Sequence, residues 1–385
     1  MKIGSLTLTY ISALAAGLLL LTSCATVSQV RSNEVVNEEI SNEVVTEDSA
    51  PAKDIAVFCT EPASQPDLLR GEVIEASLES DQASMAVINY TSCPTESIIS
   101  WSLAASDMMV SRKSNVLVFL YPVGDPTGES FLSGLELGKH DVVMSLEDQE
   151  ALLGDIELWL RADGCVDEEF FDPASDGGYE FAMWRDWVEQ GADASTMHLL
   201  CPTTRVVAMG ITPQMVEEGE LELKRFLNHE LYHAFQQDLP IEGKCRELSE
   251  DEATANTPWM VEGGAHYFSS FVTGVVHGDT IYSASGEEKV EENERVRMEI
   301  LLDALRAYEG ETQELHESGP DNKGAAALLL MIDRGLITHE EIMDGSFFTD
   351  CKRELLYPAS SPEIQDIRDS WYQIVGTDDR YEFSN

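Results

Sequence analysis

The segment Arg225-Phe226-Leu227-Asn228-His229-Glu230-Leu231-Tyr232-His233-Ala234-Phe235-Gln236 carries the pattern H-E-x-x-H. In a helix, positions four apart lie one turn above one another on the same face. His229 and His233 can therefore offer two imidazoles to a single metal ion. Glu230, the next residue around, stands at the rim, close enough to reach a water on that ion without being a ligand. Phe226, Leu227, Leu231 and Phe235 give the same segment an apolar surface to bury. A surface helix with two incidental histidines would satisfy the same pattern, so the chemistry depends on what else the chain brings to these rings.

A hydrolytic zinc site takes three protein ligands and keeps its fourth position for water. A metzincin-type continuation would need glycine at 236 and histidine at 239, but these positions hold Gln236 and Leu239. Downstream, Pro258-Trp259-Met260-Val261-Glu262-Gly263-Gly264-Ala265-His266-Tyr267-Phe268 sets one carboxylate, Glu262, in an otherwise apolar stretch. Two glycines follow it and permit close approach of another backbone. The two segments together resemble the H-E-x-x-H and W-x-x-E-G-x-A-x-Y signatures of the gluzincin metallopeptidases. That resemblance spans about residues 197–335. It implies a zincin-like α+β fold and one Zn2+ held by His229, His233 and Glu262, acting on a peptide or protein substrate. Glu230 would be the general base and later the general acid. It also implies a substrate-binding edge strand at 198–209 and a helix behind the site after Gly324.

Gluzincins often carry a carboxylate four residues after the glutamate ligand, where it orients a ligand histidine. Here that position is His266, which leaves the orienting partner open and makes His266 a candidate to face substrate or to compete as a ligand. Tyr267, His266 and Tyr232 are the candidates for the second donor to the oxyanion. The alternative to a peptidase is a catalytically inactive zincin-fold binding lipoprotein.

The elements that must hold these residues follow from pattern. The active-site helix is expected over 218–238 and the third-ligand helix over 258–273, with further helices at 292–309, 323–334 and 362–375. Earlier in the chain, 115–121 is apolar and β-rich and reads as a buried strand. Helices are expected at 145–162, with Ser145 as cap, and at 180–189; a strand broken at Pro202 is expected over 198–209. The first part contains strands and the second is mainly helical, which is the α+β class, with the metal site between the two parts. Residues 55–195 form an α+β region of unassigned role (a separate domain, a lid or a pro-like segment), and 196–385 the catalytic region.

Residues 1–23 read as an export signal: Lys2 precedes an apolar run at 11–21, roughly half the length of about 20 residues that a spanning helix needs. The run ends in Leu21-Thr22-Ser23-Cys24, which resembles the lipobox of bacterial lipoproteins. That resemblance implies lipidation of Cys24 and a bilayer anchor, in the outer membrane if the source is Gram-negative. Residues 24–54, glutamate-rich and without aromatics, form an acidic flexible tether. The six remaining cysteines, Cys59, Cys93, Cys165, Cys201, Cys245 and Cys351, fit three disulfides in an oxidising compartment. A net charge of −47, from 71 acidic against 24 basic residues, excludes a nucleic-acid partner. The acids and Cys245 of 240–257 suggest a braced, basic-substrate-favouring loop; His140, His198, His277, His316 and His339 are isolated and read as structural or surface residues.

Overall fold

The computed structural model describes residues 59, 72–77, 84–109, 114–130, 138–162, 171, 179–192, 196–197, 204–236, 257–273, 287–308, 315, 320–349, 362–377 and 380–384. The expected leader and tether, Cys24, Cys165, Cys201, Cys245, Cys351, most of 240–257, His198, His277 and His316 lie outside them.

The first half builds a sheet. Its strands are β1 (Glu72–Ser77), β2 (Ser84–Asn89) and β3 (Asn115–Pro122), with α1 (Thr95–Ser106) connecting β2 to β3. A small hairpin follows, β4 (Pro126–Ser130) and β5 (Gly138–His140), then helices α2 (Leu146–Ala162) and α3 (Tyr179–Gln190). The chain returns to the sheet as β6 (Thr196–Met197) and β7 (Thr204–Ile211). The sheet order is β1-β2-β3-β7-β6: the β2-β3 and β3-β7 pairs are parallel, and the outer pairs are antiparallel. Three strands thus come from before residue 195 and two from after it.

Alternation along β3 sorts its side chains to two cores. Leu117, Phe119 and Tyr121 join Ala86, Ile88, Val206 and Ala208 beneath α2 and α3, where Trp159, Trp184 and Trp187 supply much of the volume. Val116, Val118 and Leu120 join Val87, Val207, Met209 and Ile211 on the opposite face, against the helices of the second half. A strand buried on both faces reads as a continuous apolar run, and 115–121 does. Helix and strand are mixed in a way compatible with the expected α+β class.

The second half is helical: α4 (Pro213–Glu218), α5 (Glu220–Gln236), α6 (Thr257–Thr273), α7 (Glu287–Tyr308), α8 (Pro320–Asp333), α9 (His339–Met343), α10 (Ser346–Thr349) and α11 (Pro362–Arg368), closed by the hairpin β8 (Ile374–Thr377) and β9 (Arg380–Phe383). Among the described residues no helix is long and apolar enough to cross a membrane.

Four expectations change. The helix expected from 218 begins instead at Glu220, because Gly219 takes a φ of 93° and separates it from the short α4, which is capped by Thr212 accepting from the Met215 amide. The helix expected over 362–375 stops at Arg368; β-branched Ile374, Val375 and Thr377 pair with β9. The helix expected from 292 starts five residues earlier. The strand before the active-site helix is not an edge strand: β7 lies inside the sheet between β3 and the two-residue β6. Of the six cysteines expected to pair, Cys59 and Cys93 form a disulfide. His140 is structural, its Nδ1 lying 3.0 Å from the Gly124 carbonyl.

Candidate metal centre

Helix α5 starts with Glu220 and Glu222, whose charges suit the positive end of the helix dipole. From Leu227 to Gln236 every residue is buried. The stretch therefore runs through the interior, and its two histidines share one face, their ring centroids 4.7 Å apart. Helix α6 packs beside it and turns Glu262, 1 % exposed, toward those rings.

Three ligand atoms meet. His233 Nε2 lies 3.0 Å from His229 Nε2 and 3.1 Å from Glu262 Oε2, and His229 Nε2 lies 3.4 Å from the same oxygen. A tetrahedral centre with bonds near 2.0–2.1 Å needs donor-to-donor edges of about 3.3 Å. Two imidazole nitrogens at 3.0 Å cannot aim lone pairs at each other without a proton or cation shared between them. Glu262 Oε1 is fully buried with no hydrogen-bond partner, an uncommon cost for a carboxylate unless a cation offsets it. On these grounds the buried His229, His233 and Glu262 cluster can bind a metal ion, and it is the sole group of that kind among the described residues.

The electrostatics agree. Burial favours the neutral form of His233, but the Glu262 carboxylate, with Glu230 beyond it, more than reverses this and raises its pKa to about 9. Burial pushes Glu262 the other way, and the two imidazoles hold it down at about 2. The signs fix a pH window. His233 contributes stability that is complete below its ordinary 6.5 and lost as pH rises through 9. Glu262 contributes stability that is complete above its ordinary 4.5 and lost as pH falls through 2. Chelated protein should therefore show a melting temperature that falls from pH 6.5 to 9, and divalent metal, by displacing the His233 proton, should flatten that fall. Parallel melting curves with and without chelator check it; identical slopes would contradict it.

The other expected residues divide. Glu230, 3 % exposed, sits on the same helix and acts electrostatically on His233. His266 lies one turn beyond Glu262 on α6 but is not among the residues able to share the ion. Its Nδ1 is 4.0 Å from Asp321 Oδ2 of α8, and burial, with Arg225 and His229 adding to it, holds its pKa well below the usual value. A carboxylate thus does stand behind this position, brought by a different helix. Tyr267 is about 140° around α6 from Glu262. Its hydroxyl is 2.8 Å from His339 Nδ1, and its ring packs on Phe271. Tyr232 donates to the Ile342 carbonyl at 2.5 Å and packs on Phe268. Both hydroxyls thus have a partner on α9.

Two residues escaped the sequence. Asp321 has no local signal, since its neighbourhood is made by helix packing. Gln236 lies three positions after His233, a spacing that places side chains in contact on a helix; its amide contacts both His233 and α6. No family model, no curated protein and no solved structure matches the chain.

Proposed function

We propose that this chain is a zinc-dependent peptidase of gluzincin type, displayed on a bacterial membrane as an exported lipoprotein. The observation that carries the reading is the convergence of His229, His233 and Glu262 from two helices, Glu262 lying 29 positions after His233, with Glu230 next to His229 in the chain. Two imidazoles and one carboxylate are the donor set of hydrolytic zinc sites. When bound, the ion supplies Lewis acidity toward a carbonyl and lowers the pKa of water towards about 7. The chain's own contribution is then a buried carboxylate, Glu230, that accepts a proton from the attacking water and returns it to the departing amine. Burial of the ligands keeps bulk water from competing for their lone pairs. The leader and Cys24 support export and anchoring.

The test is metal content followed by activity. Protein purified without chelator should hold about one zinc per chain and cleave a mixed peptide library; strong chelation should abolish cleavage and added zinc restore it. A protein that holds metal and leaves every peptide intact would favour the inactive binding lipoprotein. One that holds no metal and is inert would defeat the peptidase reading and support the binding lipoprotein.

A further inference from the structure

The side-chain amide of Gln236 bridges the two helices that carry the ligands. Its Nε2 donates to the Val261 carbonyl at 3.0 Å, and its Oε1 lies 2.8 Å from His233 Nδ1. The first contact fixes the second. A backbone carbonyl only accepts, so the NH2 end of the amide must face Val261 and the oxygen must face the ring. An amide oxygen also only accepts, so His233 Nδ1 must carry a proton, and in the neutral ring that metal binding requires the lone pair falls on Nε2, the atom that faces His229 and Glu262. Gln236 is 7 % exposed, so water competes little for either bond. Val261 immediately precedes Glu262, so the same amide also ties the end of α5 to the turn of α6 that bears the carboxylate.

We propose that Gln236 is a positioning residue of the metal centre: it sets the His233 tautomer and holds the two ligand-bearing helices in register. The inference rests on the metal-binding part of the reading above and does not require peptidase activity. In a chain where His266 stands in the place of an orienting carboxylate, the ordering of one ligand ring passes to a neutral amide supplied three residues along the same helix.

The test is zinc affinity, measured by competition with a chromophoric chelator, in wild type and Gln236→Met, which keeps the length of the side chain and removes both hydrogen bonds. Loss of an outer partner to a ligand histidine weakens metal binding by about 10–100-fold, and that is the expected change in Kd. Long-range proton–nitrogen spectra of zinc-free wild type, at a pH where the His233 ring is neutral, should show its proton on Nδ1; this measurement tests the tautomer even if the variant fails to fold. Equal zinc affinity in Gln236→Met overturns the inference, as does a wild-type His233 whose Nδ1 lacks the proton. A wild type that binds no zinc instead overturns the metal reading itself, and that result appears before any variant is made.

Discussion

Glu230→Gln is expected to bind zinc as tightly as wild type and to cleave peptides about 10²–10⁴-fold more slowly, the range that a positioned proton acceptor contributes. The substitution keeps the volume and the planar shape of the side chain in a position that is 3 % exposed, so packing changes little. It removes the capacity to take a proton. Because Glu230 is outside the group of ligand atoms, the metal contacts of His229, His233 and Glu262 stay intact. The discriminating measurement pairs kcat with zinc content on the same preparation. His233→Ala, by contrast, should lose metal and activity together. If Glu230→Gln kept the original kcat, the proposed acid–base role would be wrong, whatever the zinc content.

The second large effect lies at the crossing of α6 and α8. A Cβ built on Gly324 would stand 2.0 Å from the Trp259 carbonyl oxygen, and one on Gly263 would stand 2.3 Å from the Gly324 carbonyl carbon. Both obstacles are backbone, so no side-chain rotation relieves them. Replacing a helical glycine with alanine ordinarily gains up to about 1 kcal/mol, whereas forcing extra volume into a packed core costs about 1–3 kcal/mol and sometimes more. With contacts this short the clash wins. Gly324→Ala is expected to lower stability by about 3 kcal/mol and, because Gly263 adjoins Glu262, to weaken metal binding as α6 is pushed aside. Denaturant unfolding of the chelated protein measures the first and metal competition the second. An alanine variant more stable than wild type would show that the helices are not in backbone contact.

Local pattern carried much of this architecture. Helices α2, α5, α6 and α8 were readable because their apolar spacing and end signals agree with their burial; Ser145, for example, accepts from the Asp148 amide at the start of α2. The cluster that could hold a metal ion, His229, His233 and Glu262, was readable for a related reason: i and i+4 on one helix, and one acid among apolar residues on another, are spacings that a sequence displays directly. What was not legible was decided by packing. The hydroxyl partners of Tyr232 and Tyr267, Ile342 and His339, come from α9, far along the chain. Asp321 reaches His266 from 55 residues away. The interior place of β7 depends on pairing with β3, more than 80 residues upstream, which no window of sequence contains.

That pairing also bears on how such a protein could be switched on. All eight residues from Thr204 to Ile211 are buried, and each faces a partner on β3. Cutting the chain near residue 195 and shedding what precedes it would strip β7 of that neighbour and leave an apolar ribbon with bare amides and carbonyls, a template for aggregation. Zymogen-style maturation by loss of the first half is therefore incompatible with the sheet. Under the proposed peptidase reading, control would have to operate with both halves retained.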